Sequence, residues 1–200
     1  MTMDDNHLIE PDAASDLAPW GQVSSVAAFH NRWLHVTLDT VRLPNGQTYE
    51  YTTIRREVEG VGVLGFNAAG QVLLQREYRH PVNQVIWQAP GGLTSPGEDR
   101  AACAARELRE ETGYAAETLE YLGSFWDNPA MGNAVNHLFL GRNLRPTGLT
   151  ARDPAEFVSN HWVDVAWLKR AVADGTIRDR VLVCGLAYLW LHGELADCGF

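Results

Sequence analysis

Polar and apolar positions in this 200-residue chain alternate in short runs, and the pattern changes to helical spacing in three places. Val23 to Phe29 and then Trp33 to Leu43, with Leu34, Val36, Leu38 and Val41, read as strands. Pro44-Asn45-Gly46 is a turn signal, so Gln47 to Ile54 returns as a hairpin partner. A second pair follows. Val61 to Phe66 is apolar, Ala68-Ala69-Gly70 turns, and Val72 to Tyr78 comes back. Leu119 to Trp126, His137 to Leu140 and Trp162 to Val165 supply further strands. The helical stretches are residues 96–112, Trp167 to Asp174 and Arg178 to His192. There are no internal repeats and no low-complexity segments. The order predicts a flexible tail over 1–18, a small antiparallel unit over 19–57 and a main domain over 58–200.

The first helical stretch carries the chemistry. Ala101, Ala102, Ala104, Ala105 and Leu108 favour a helix. Ser95-Pro96-Gly97-Glu98 has the form of a capping box with Pro96 at the first helical position, and Gly113 suits a left-handed C-terminal cap. Ala101, Ala104, Ala105, Leu108 and Thr112 form the predicted buried face. On another side stand Glu107, Glu110 and Glu111, at i, i+3 and i+4. Like charges at that spacing repel by roughly 0.2–0.5 kcal/mol per pair. A bound cation turns the repulsion into a site, and carboxylate oxygens suit Mg²⁺ or Mn²⁺. Arg106, four residues before Glu110, reads as scaffolding that aims the glutamates. Glu98 lies two turns before Arg106. Its plain alternative is the capping role alone. The Gly91-Gly92 loop brings backbone to the same point, where the Gly91 carbonyl is a candidate ligand.

A charge run on a helix is usually a solvated face. Here the spacing argues otherwise. Five residues separate Gly92 from Glu98, and seven more, Asp99 to Ala105, lead to Arg106-Glu107-Leu108-Arg109-Glu110-Glu111-Thr112-Gly113-Tyr114. The segment resembles the signature of the Nudix hydrolases, which cleave nucleoside diphosphates linked to another moiety. Gly92, Glu98, Arg106, Glu107, Leu108, Glu110, Glu111, Gly113 and Tyr114 all match it. The resemblance implies an α+β fold, an α/β/α sandwich around a mixed sheet. In relatives that act on ADP-ribose or similar sugars, an N-terminal β unit helps to build a dimer, so a homodimer is expected.

Substrate residues are expected outside the signature. Arg79, in Arg76-Glu77-Tyr78-Arg79-His80-Pro81, is a candidate phosphate ligand because a guanidinium fork matches phosphate oxygens. Tyr78 can stack on a base. A Tyr-Arg-x-Pro element here resembles the ADP-sugar branch. Pro129, fifteen residues beyond Tyr114, resembles the marker of ADP-ribose pyrophosphatases, although Asn128-Pro129-Ala130 departs from the Pro-Gly common there. Gln88 stands where related enzymes commonly carry a glutamate, and it can hydrogen-bond a base or sugar. Glu156 resembles a loop glutamate that serves as base or extra ligand. Asp153 is its rival.

Composition narrows the partners. A formal charge of −9 argues against nucleic acid, whose phosphates want a basic surface. No run approaches membrane length. Cys103, Cys184 and Cys198 are isolated, without a Cys-x-x-Cys pair. Met1 to Leu17 is polar and has no apolar signal core, so a reducing cytoplasm is expected. The expected activity is metal-dependent hydrolysis of a nucleoside diphosphate sugar, ADP-ribose first. Its competitors are other nucleotide substrates (another nucleoside diphosphate sugar, a dinucleoside polyphosphate, an oxidised nucleoside triphosphate) and a non-catalytic ADP-ribose-binding regulator.

Overall fold

Three strands, β1 (Gly21–His30), β2 (His35–Arg42) and β3 (Thr48–Arg55), run as an antiparallel meander. The turn between β2 and β3 contains Gly46 at φ +85°, as the Pro44-Asn45-Gly46 signal predicts. Every residue of β1 is exposed. The interior of this sheet is polar. The Asp39 carboxylate accepts hydrogen bonds from Ser25 Oγ (2.5 Å), Thr53 Oγ1 (2.8 Å) and Arg55 Nη2 (2.8 Å), joining all three strands. The Ser25 hydroxyl is the main reason its pKa lies below the usual carboxylate range.

The computed structural model describes residues 19–148 and 157–195, which form two compact units divided between Arg55 and Arg56. The second unit contains β4 (Gly60–Phe66), β5 (Gln71–Arg79), β6 (Gln84–Gln88), α1 (Arg100–Thr112), β7 (Tyr114–Ala115), β8 (Thr118–Trp126), β9 (Val135–Arg142), β10 (Arg145–Pro146), β11 (Val158–Asp164), α2 (Val165–Ala173) and α3 (Arg180–Leu191). Its main sheet has the order β11-β5-β4-β9-β8, with β6 added beside β5. β4 and β9 run parallel and the other pairs antiparallel, so the sheet is mixed.

Strand alternation sends side chains to two cores. Val61, Val63, Leu73 and Phe139 pack under Cys103, Ala104 and Leu108 of α1. Leu64, Val72, Leu74, Leu138 and Leu140 pack under Val165 and Leu168 of α2 and Leu182 and Leu189 of α3. Helices therefore cover both faces of the sheet, the sandwich expected. On the second face α3 approaches closely because Gly185 lies over Leu64, where an added Cβ would come within 2.5 Å of Leu64 Cδ1.

The signature helix departs from expectation at its start. α1 begins at Arg100 and not at Pro96. Its N-cap is Asp99, whose carboxylate accepts from the Ala101 and Ala102 amides at 3.0 Å each. Gly97 at φ +77° breaks helical geometry, so Ser95–Glu98 forms a turn closed by Glu98 N–H to Ser95 O at 2.9 Å. Half of the capping box survives, since Glu98 Oε2 accepts from the Ser95 amide at 2.8 Å. The buried face is also turned from the one expected. Ala101 and Ala105 are exposed, while Cys103, Ala104, Leu108, Glu111 and Thr112 are buried. Gly113 caps the C-terminus at φ +76° as predicted. The tail over 1–18, Asp153 and Glu156 lie outside the described residues.

Candidate active site

The loop before α1 lies along the start of β4. Val63 N–H donates to Pro90 O, Val61 N–H to Gly92 O and Thr94 N–H to Glu59 O, each at 2.9 Å. In extended backbone, successive residues direct their polar groups to opposite sides. Pro90 and Gly92 thus turn theirs to β4, and Gly91 turns its own toward α1. Gly91 N–H donates to Glu111 Oε2 at 3.0 Å. That bond offsets part of the cost of burying this carboxylate. Helix and loop touch without an intervening side chain. An added Cβ on Gly92 would lie 2.6 Å from both Cδ and Oε1 of Glu107, and one on Gly91 would lie 2.1 Å from Val61 O.

Arg106 gathers the other carboxylates. Its Nε donates to Glu98 Oε1 at 2.8 Å and its Nη2 to Glu98 Oε2 at 3.0 Å, a two-pronged pair. Nη1 donates to Glu107 Oε1 at 2.8 Å and to Glu110 Oε2 at 3.2 Å. The Glu98 bonds contribute most to raising the arginine's pKa. Conversely, Arg106 first and the Ser95 amide second bring Glu98 down to about 2. Glu98 therefore both closes the Ser95 turn and anchors Arg106.

Among the described residues, no group of three or more His, Cys, Asp or Glu side chains surrounds one point closely enough to hold a metal ion. Arg106 draws Glu107 and Glu110 toward itself, and Gly91 holds Glu111. The donor chemistry nonetheless fits a divalent cation. The groups at the loop are carboxylate oxygens and a carbonyl, the ligands of hard ions. The glycine cradle keeps Glu107 and Glu111 at the loop, with room that any larger residue would fill.

A second polar cluster stands on β5 and β6. Arg79 Nε donates to Gln88 Oε1 at 3.0 Å, and Gln88 Nε2 donates to Glu77 Oε2 at 2.5 Å. Arg79 Nη2 lies 3.1 Å from the same Glu77 oxygen. Gln88 is buried and its carboxamide bridges two protein groups. Tyr78 is exposed, and its hydroxyl donates to Asn83 Oδ1 at 3.0 Å. By strand alternation it lies on the opposite face from Arg79. Pro129 is exposed in the turn between β8 and β9. Among the described residues, no hydrogen bond or ion pair ties it to the acidic helix. Glu77 completes this cluster, and the signal for it in the sequence is its place two residues before Arg79 on the same strand face.

A mixed sheet between helix layers, with a glutamate-rich helix held to a glycine loop, defines a Nudix hydrolase. The NUDIX domain model matches residues 54–184, and the model of the nucleoside diphosphate sugar hydrolase N-terminal domain matches residues 20–54. The chain belongs to the Nudix family. It is 30% identical over 168 residues to the methanol dehydrogenase activator of Bacillus methanolicus, across 84% of this chain and 90% of that one. It is 29% identical, with the same coverage, to the ADP-ribose pyrophosphatase of Bacillus subtilis. The crystal structure of an ADP compounds hydrolase shares the fold with a TM-score of 0.81, 21% identity, and coverage of 93% of this chain and 99% of that one.

Proposed function

We propose that this enzyme hydrolyses the pyrophosphate bond of ADP-ribose, adding water to give AMP and ribose 5-phosphate. The observation that carries the proposal is the Arg106 hub, which ties Glu98, Glu107 and Glu110 together beside a loop whose Gly91 amide holds Glu111. The substrate assignment draws support from the Bacillus subtilis relative and from the nucleoside diphosphate sugar hydrolase N-terminal match.

Glu107, Glu111, Glu110 and the Gly91 carbonyl would hold Mg²⁺ or Mn²⁺. Such an ion, when bound, neutralises a diphosphate and lowers the pKa of a coordinated water. The chain's own groups do the rest. Glu98 holds Arg106, and Arg106 holds two glutamates in place. Arg79 binds oxygens of the diphosphate. Glu156, with Asp153 as its rival, takes the proton of the attacking water. The fully exposed β1, with Val23, Val26 and Phe29 uncovered, supports a homodimer built through the N-terminal sheet. Among the described residues no helix is long and apolar enough to cross a membrane, and a reducing cytoplasm remains the proposed setting.

The test is a substrate panel with Mg²⁺ and with Mn²⁺: ADP-ribose, ADP-glucose, GDP-mannose, dinucleoside polyphosphates and nucleoside triphosphates, with products resolved by chromatography. Release of AMP and ribose 5-phosphate, abolished in Glu111→Gln, is expected. Faster turnover of another nucleotide moves the assignment within the family. Tight binding of ADP-ribose without turnover makes the protein a regulator. Light scattering that gives only the 22.2 kDa monomer removes the dimer.

A further inference from the structure

We infer that Glu77 is a positioning residue for substrate binding, acting through Gln88 to fix the guanidinium of Arg79; the inference rests on the proposed role of Arg79. The register places Glu77 between Val158 of β11 and Ile86 of β6. An anion in that apolar row is costly unless it is paired. Its side chain is 11% exposed, against 49% for Arg79. Glu77 thus meets Arg79 from the buried side, while the arginine reaches solvent.

The hydrogen bonds give the cluster a direction. Gln88 is oriented without ambiguity, because a carboxylate on one side requires its NH₂ group and an arginine N–H on the other requires its oxygen. Glu77 therefore orients Gln88 Nε2. Gln88 Oε1 then receives Arg79 Nε, and Glu77 also pairs with Arg79 Nη2. Two bonds in different directions set the guanidinium plane as well as its position. A long side chain fixed before the ligand arrives loses less freedom on binding, and a planar fork recognises phosphate only in the correct plane.

The experiment measures kcat and KM for ADP-ribose in the full chain for Glu77→Gln, Gln88→Met, Arg79→Ala, the Glu77→Gln/Gln88→Glu double variant and the Glu77→Gln/Arg79→Ala double variant. Glu77→Gln is expected to raise KM about tenfold with kcat within about twofold. Gln88→Met, which keeps the volume and removes both amide bonds, moves KM in the same direction. The exchanged pair restores a carboxylate from the other strand and brings KM back to within about threefold of the starting protein. Once Arg79 is alanine, Glu77→Gln changes nothing further. An unchanged KM in Glu77→Gln, no recovery in the exchanged pair, or an equal effect of Glu77→Gln with and without Arg79 overturns the inference. If Glu77→Gln and Gln88→Met leave KM unchanged while Arg79→Ala raises it, the role of Arg79 stands and the positioning role falls. An unchanged KM in Arg79→Ala removes both.

Discussion

The carboxylate carbon of Glu107 lies 2.6 Å from where a Cβ on Gly92 would stand, so the loop glycine and the helix glutamate share one space. A Gly92→Ala protein must displace Glu107 or the loop. A shift of about 1 Å in a catalytic group costs about 10²-fold in rate. Metal-activated turnover of Gly92→Ala is expected to fall by that order, with the thermal midpoint nearly unchanged because no core contact is lost. Assays across a metal titration, paired with calorimetry, check both halves. Unaltered turnover would mean that Glu107 has no fixed place at the loop.

The Glu98–Arg106 pair gives an acid-side signature. The folded pKa of Glu98 lies at about 2 against an ordinary 4.5, so unfolding raises its proton affinity. The pair's stabilisation is fully present above the unfolded value and is lost as the pH falls from 4.5 toward 2. Thermal melts of Glu98→Gln should show a shallower decline through that window than the starting protein. Parallel declines would refute the assignment.

Gln75 is wholly buried on β5, and among the described residues neither its Oε1 nor its Nε2 has a hydrogen-bond partner. Asn160 Oδ1, on the residue paired with Gln75 across β5 and β11, is likewise without one among the described residues. A buried polar group left unsatisfied costs about 1–3 kcal/mol. Gln75→Met keeps the length and removes the polar atoms, so urea unfolding should show a gain of that order. A loss would show that the carboxamide is satisfied in solution.

Cys103 is fully buried on the inner face of α1, and burial first, with the nearby Glu98 second, pushes its thiol up to about 12. Thiolate is the reactive form. At about pH 8 an aromatic disulfide reagent should label Cys103 only after denaturation, as peptide mapping would report. Rapid labelling of the native protein would contradict this packing.

Much of the site was legible because its signals are local. The offsets from Gly92 to Glu111, the cap at Gly113 and the two-residue alternation of the strands need no knowledge of distant contacts. The start of α1 was misplaced by competition between caps. Ser95 and Asp99 are both good N-caps, and Gly97 at φ +77° decided for Asp99. β6 was missed because five residues ending in a polar glutamine, in a segment rich in proline and glycine, carry little periodicity. Its pairing with β5 supplies what its own pattern lacks.

By itself the sequence determined that carboxylates recur along one helix behind a glycine loop, because a helix of 3.6 residues per turn converts spacing into side. Only the tertiary structure decided that Glu111 is buried on the Gly91 amide, that Arg106 reaches Glu98, and that Gln88 of the neighbouring strand joins Glu77 to Arg79. Those outcomes depend on strand register and on the approach of loop to helix. Such contacts join residues up to twenty positions apart, Gly91 to Glu111 being one, and no local pattern encodes them.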